Sequence, residues 1–97
     1  DFSVCMDMGH LLVHGIDLRA FYENWKDRIT VVHLHGVDGS KDHLPLDRLS
    51  DGQMRTVFGL LQALKKVVVL ENYSYPRLNA SLACLADGWS RLMEKEI

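Results

Sequence analysis

Ionisable side chains stand at the ends of three short apolar segments of this sequence. The first segment, VCMD, ends in Asp7, and His10 follows three residues later. The second, ITVVHLH, carries His33 and His35, and the third, KKVVVLE, ends in Glu71. Imidazole nitrogens and carboxylate oxygens are together suitable ligands for zinc, manganese or iron. If the three ends meet in space, these residue types predict a divalent metal site.

The segments that must position these side chains alternate with amphipathic patterns. Strands are predicted over 3–7, 29–35 and 66–71, and helices over 17–26, from Ser50 onward and from Asn79 onward. Ser50 and Gln53 have the spacing of a capping box, and 36–49 is predicted as a loop. Short apolar strands separated by helices are typical of a parallel sheet with covered faces. The sequence therefore predicts an α/β fold of order β-α-β-α-β-α.

This topology gives a reason for the three strand ends to converge. In parallel α/β folds, active sites lie at the carboxyl ends of the strands and in the loops that follow them. Two of those loops add further histidines, His10 and His43. We therefore expect one metal site that draws on strand ends and loops together.

Each of these residues also has a structural interpretation when taken alone. Asp7 can cap a helix or form a turn, a histidine in a strand can be a hydrogen-bonded core residue, and Glu71 can pair with a lysine. Arg48 can contact a phosphate or remain solvated, and Tyr73 can line a substrate pocket or pack within its loop. The coincidence at three strand ends is what favours a metal site.

Composition narrows the classes of function. The chain has 97 residues and a net charge of -2, with no basic stripe for a nucleic-acid backbone. No apolar run is long enough for a membrane span, and no signal peptide is visible. The two cysteines form no CxxC pair, and free thiols are typical of a reducing cytoplasm. We expect a cytoplasmic protein with a small-molecule substrate.

Four motifs resemble the xylose isomerase-like TIM barrels, especially AP endonuclease family 2, the endonuclease IV type. VCMDMGHLLVHG resembles a strand whose Asp is followed by His three residues later, and VVHLHG resembles the next strand, with a metal-binding His. KDHLPL is similar to a loop that supplies another His, and VVVLENY to the final strand, whose Glu bridges metals. The resemblance implies a zinc or manganese site with Glu71 as its catalytic carboxylate and a full ligand set of Asp7, His10, His33, His43 and Glu71.

The resemblance also implies an architecture and an activity. Residues 1–97 would be a single partial domain, the last three βα units of a (β/α)8 barrel, partnered by the N-terminal part and inactive alone. The intact protein would be a metal-dependent phosphodiester hydrolase. Within the superfamily, the motifs are most similar to cobamide-remodelling phosphodiesterases, which open the nucleotide loop of a corrinoid. The alternatives are a metal-dependent sugar isomerase or epimerase, and a non-catalytic binding module.

The sequence departs from the family pattern near the expected site. His35-Gly36 stands where the family has Asn-Asp, Lys41 stands where the endonucleases have Asp, and 46–48 replaces a glycine-rich stretch. A one-residue offset therefore separates Asp42 from the family's carboxylate. For the substrate we expect contacts from three residues, His35, Arg48 and Tyr73.

A three-stranded piece of a barrel would leave its inner face uncovered. The apolar residues expected on that face are Ile29, Val31, Val67 and Val69. Exposed apolar surface and open strand edges drive association. We therefore expect the isolated chain to self-associate.

Overall fold

Three parallel strands form the central sheet of the structure, a computed structural model that describes residues 2–71 and 75–95. The elements are, in chain order, β1 (Val4–Asp7), α1 (Met8–Val13), α2 (Leu18–Trp25), β2 (Ile29–Leu34), β3 (Gly36–Asp38), β4 (Lys41–Leu44), a 3-10 turn (Leu46–Arg48), α3 (Asp51–Leu64), β5 (Val67–Leu70) and α4 (Tyr75–Lys95). The sheet order is β1-β2-β5, and both pairings are parallel. The predicted α/β class with a parallel sheet is confirmed.

The helices cover one face of this sheet. Alternate side chains of the strands, Met6 of β1 and Val32 and Leu34 of β2, are at most 1% exposed. They belong to one core cluster with apolar side chains of α3 such as Val57 and Phe58. This follows from the period of two along each strand, which gives the helices one consistent apolar surface.

Helix capping sets where two of the helices begin. The Asp17 carboxylate accepts hydrogen bonds from the backbone N–H groups of Arg19 and Ala20 at the start of α2. The Ser50 hydroxyl accepts from the Gln53 N–H, and the Gln53 side chain accepts from the Ser50 N–H. This reciprocal pair satisfies donors that the first turn leaves without partners, and it confirms the predicted capping box.

Three local predictions are wrong. The segment predicted as a loop contains β3 and β4, which pair antiparallel as a hairpin. A short helix, α1, directly follows β1 where no helix was predicted. The last helix starts at Tyr75, so Asn79 lies inside α4 instead of capping it. Pro76 is compatible with that earlier start because proline is tolerated in the first turn of a helix.

A bulge changes the face on which Ile29 lies. β1 advances one residue from Val4 to Cys5 while its partner β2 advances from Ile29 to Val31. The extra residue reverses the alternation at this point, and Ile29 is 2% exposed in the core. The prediction that Ile29 lies on the uncovered face is therefore wrong. In the part of the chain that the structure describes, no helix has both the length and the apolar character for crossing a bilayer.

Candidate metal centre

Parallel pairing brings the three strand ends to one edge of the sheet. Asp7 of β1 is the register partner of His33 of β2. Immediately after β5, the Glu71 backbone N–H donates to the carbonyl oxygen of Leu34 at 2.9 Å. The ladder between β2 and β5 thus continues by one residue and fixes Glu71 beside the end of β2.

Asp7, His33 and Glu71 form the first group of possible ligands. One donor atom from each residue lies within 4.8 Å of the others. The His33 Nδ1 atom contacts the Glu71 Oε1 atom directly. Their side chains are 33%, 30% and 26% exposed, so the group is partly desolvated yet open to a small ion.

A second group shares Glu71 with the first. It consists of His35, His43 and Glu71, again with donor atoms within 4.8 Å of one another. The His43 Nε2 atom lies 3.1 Å from Glu71 Oε2, whereas His33 contacts the other carboxylate oxygen. Glu71 therefore stands between the two groups and presents a different oxygen to each.

The hairpin formed by β3 and β4 delivers His43 to this edge. His43 has a φ of 55°, a left-handed conformation that is uncommon for a residue with a side chain. A Cβ atom added at Gly36 would overlap the carbonyl oxygen of Pro45, so glycine is required at this first residue of β3. These two backbone features hold the His43 ring over the strand ends.

Asp42 orients the His43 ring from the side opposite Glu71. The Asp42 Oδ1 atom lies 3.0 Å from His43 Nδ1. A carboxylate at one ring nitrogen keeps the proton there and leaves the other nitrogen for a ligand, a pattern common at metal-binding histidines. Asp42 thus has a partner role at His43 that its sequence position alone did not indicate.

Neighbouring carboxylates and histidines shift one another's pKa values near the strand ends. The hydrogen bond with Asp42, followed by that with Glu71, raises the pKa of His43, and the hydrogen bond with His43 lowers the pKa of Asp42. Desolvation and then the negative charges of Asp7 and Glu71 raise the pKa of the Cys5 thiol. The carboxylates therefore favour positive charge at this edge of the sheet.

Other predicted site residues lie elsewhere or lie buried. His10 is exposed, its ring contacts His14 with centroids 4.5 Å apart, and it belongs to neither donor group found in 2–71 and 75–95. The exposed Arg48 side chain pairs with Asp38 at 3.3 Å. The His35 side chain is only 1% exposed, which leaves no surface for the predicted substrate contact. Tyr73 lies outside the described residues.

Asp7 caps a helix, as its structural interpretation predicts, and also belongs to the first donor group. Its Oδ1 atom accepts from the His10 backbone N–H at 2.9 Å and caps α1. No protein-family model matches the chain, and neither a curated protein nor a solved structure matches it.

Proposed function

We propose that this chain supplies metal ligands to a divalent-metal-dependent hydrolase of phosphodiesters. The observation that carries the proposal is that Glu71 presents one carboxylate oxygen to His33, in a group with Asp7, and the other carboxylate oxygen to His43 of the hairpin. In two-metal phosphatases and nucleases a pair of ions stabilises the attacking and leaving oxygens, and a carboxylate with ligands on both sides suits such a pair. The ligands in this proposal are Asp7, His33, His43 and Glu71.

The donor chemistry fits zinc or manganese. Two imidazoles and two carboxylates offer both nitrogen and oxygen donors, a mixture suited to these ions. Hydrogen bonds with the carboxylates of Asp42 and Glu71 raise the pKa of His43, and such a negative environment attracts a cation. A divalent ion held here supplies positive charge that activates water and offsets charge developing on phosphoryl oxygens.

The chain's own residues have distinct tasks in this proposal. Glu71 is the shared carboxylate, and its half-buried position keeps it close to both His33 and His43. Asp42 holds the proton of His43 on Nδ1 and leaves Nε2 for binding. Asp7 contributes a carboxylate from the neighbouring strand end.

We also propose the barrel origin of the sheet and its cellular setting. A covered face and an exposed face on three parallel strands are consistent with the last three βα units of a (β/α)8 barrel, whose remaining units would complete the site. The free cysteines, Cys5 and Cys84, favour a reducing cytoplasm. The net charge of -2 favours a small-molecule substrate, such as the nucleotide loop of a corrinoid, over nucleic acid.

The second candidate is a sugar isomerase or epimerase. The observation in its favour is the first donor group taken alone, because Asp7, His33 and Glu71 can serve one ion while a carboxylate moves a proton beside a carbonyl. A binding module without catalysis is the third possibility.

The test uses the protein encoded by the whole reading frame that contains this chain, loaded with zinc or manganese. Cleavage of a corrinoid nucleotide loop and epimerisation of a panel of ketoses are assayed in parallel. We expect phosphodiester cleavage that Glu71→Gln abolishes and that Glu23→Gln, an exposed glutamate of α2, leaves intact. Ketose epimerisation without cleavage would establish the second candidate. If the protein shows neither activity, the binding module is the remaining possibility.

A further inference from the structure

His35 is the buried member of the histidines at the strand ends. It follows β2 directly, and its side chain is 1% exposed. A Cβ atom added at Gly9 would overlap the His35 ring, so the ring lies against the backbone of α1. Its position is therefore fixed by packing before any ligand binds.

The contacts of the ring determine which nitrogen carries its proton. The backbone N–H of His43 donates to His35 Nδ1 at 2.9 Å. A backbone amide always carries its hydrogen, so Nδ1 must offer a lone pair and cannot itself be protonated. The carbonyl oxygen of Gly36, 3.3 Å from the same nitrogen, is then a neighbour and not an acceptor. In the neutral imidazole the proton lies on Nε2.

The protonated nitrogen faces the first strand end. His35 Nε2 lies 3.3 Å from Asp7 Oδ1, which also accepts from the His10 backbone N–H at 2.9 Å. The His10 N–H and the His35 Nε2 atom therefore both contact one oxygen of Asp7. These two contacts restrain the orientation of the carboxylate.

The same ring supports the second donor group. The His35 and His43 rings are stacked with centroids 4.2 Å apart and planes 7° from parallel. The hydrogen bond at Nδ1 also satisfies the N–H of the residue whose φ is 55°. His35 thus contacts one proposed ligand on β1 and another on β4.

We propose that His35 is a positioning residue that ties Asp7 to His43, and that it is not itself a metal ligand. Nδ1 accepts the hydrogen bond from the His43 N–H, and the protonated Nε2 faces the Asp7 carboxylate. Neither nitrogen therefore offers a lone pair to an ion. The orienting role rests on the proposed metal site, whereas the tautomer stands on the geometry alone. A ring nitrogen of His35 lies within 4.8 Å of donor atoms of His43 and Glu71, but the hydrogen bond from the His43 N–H and the contact with Asp7 occupy both nitrogens.

The first test reads the tautomer directly. Long-range ¹H–¹⁵N correlation spectra of the ¹⁵N-labelled, chelator-treated chain are recorded before and after addition of zinc, with His35→Asn used for assignment. We expect His35 to keep its proton on Nε2 in both spectra while His33 and His43 respond to zinc. A proton on Nδ1, or loss of the Nε2 proton on zinc addition, would overturn the proposal. If zinc does not bind at all, the metal-free spectrum still decides the tautomer, and only the metal site fails.

The second test separates positioning from ligation. The Asn amide reaches as far as His Nδ1, and the Gln amide reaches as far as His Nε2. His35→Asn therefore loses the donor to Asp7 and should weaken zinc binding by about 10- to 100-fold, as expected for a residue that orients a ligand. His35→Gln keeps that donor but gives up the acceptor for the His43 N–H, so it should lose less affinity than His35→Asn, and His14→Asn, an exposed histidine, should change nothing. Equal loss in both His35 variants would indicate ligation, and no loss in either would indicate a purely structural role; either result contradicts the proposal.

Discussion

The two faces of the central sheet differ in what covers them. On the helix-covered face, Met6 and Val32 are 0% exposed. On the opposite face, Val67 is 68% exposed and Val69 is 39% exposed. The proposed ligands His33 and Glu71 follow the alternation of this second, open face. The same strands thus build the core with one set of side chains and the candidate site with the other.

This difference separates stability from function within single strands. Burial of apolar side chains on the covered face provides most of the free energy of folding. Charged and imidazole groups are tolerated on the open face because solvent reaches them and because they pair with one another. A substitution should therefore affect either stability or metal binding according to the face on which it lies.

The largest expected effect concerns two valines of the same sheet. Val32→Ala removes two buried methyl groups and leaves a cavity, so it should lower the free energy of unfolding by about 2–3 kcal/mol. Val67→Ala should cost about 0.5 kcal/mol or less because the side chain is already largely exposed. Urea unfolding followed by circular dichroism measures both values. Equal losses at protein concentrations where the chain is monomeric would contradict the difference in cover between the two faces.

The second prediction concerns association through the open face. Covering apolar side chains such as Val67 and Val69 is favourable at roughly 0.8 kcal/mol per CH2 group, and the strands β1 and β5 stand at the two edges of the sheet. Sedimentation of the 97-residue chain across a concentration series should show species larger than the monomer.

A lysine at the open face should reverse this association. Val67→Lys introduces charge where a partner would pack, whereas Asn24→Lys places the same charge on the exposed surface of α2. Only the first variant should shift sedimentation toward the monomer. A wild-type chain that remains monomeric at high micromolar concentration would show that the open face does not drive association.

The third prediction concerns the electrostatics of the open face without metal. Asp42→Asn removes the hydrogen bond that contributes most to the raised pKa of His43. The pKa of His43 should therefore fall toward the ordinary histidine value of about 6.5. An NMR titration of the chelator-treated protein measures this pKa directly, and an unchanged value would contradict the Asp42–His43 contact.

The sign of the matching stability effect follows from linkage. The pKa of His43 is raised on folding, so its contribution is complete below about pH 6.5 and disappears as pH rises through the folded value. The pKa of Asp42 is lowered, so its contribution is complete above about pH 3.9 and disappears as pH falls through the folded value. Wild type and Asp42→Asn should differ most between these limits and converge on either side.

The covered face was easier to predict from the sequence than the open one. Local signals determine the parallel strands and the Ser50–Gln53 capping box, because period-two alternation and capping depend on neighbouring residues. The side on which Ile29 lies depends on a bulge set by pairing with β1, which the sequence of β2 alone does not reveal. Likewise, burial of His35 depends on close approach to Gly9, far away in the chain.

The candidate site was also predicted only where local signals determine it. The strand alternation correctly placed Asp7, His33 and Glu71 at one edge, where the structure brings them together. His10 was predicted as a ligand in the loop after the first strand, but α1 begins immediately after β1, and the His10 ring contacts His14. His43 was expected in a loop, but it lies in a hairpin and has a left-handed backbone conformation. Tertiary contacts must enforce that conformation in a residue with a side chain.

The measurement that tests the central claim most directly is calorimetric titration of zinc into the chelator-treated protein encoded by the whole reading frame, its His33→Ala variant and its His10→Ala variant. We predict saturable binding by the wild type, at least about 10-fold weaker binding by His33→Ala because it loses a direct ligand, and unchanged binding by His10→Ala. Affinity that is the same in His33→Ala as in the wild type, or a wild-type protein of the whole reading frame with no saturable binding, would contradict a metal centre at these strand ends.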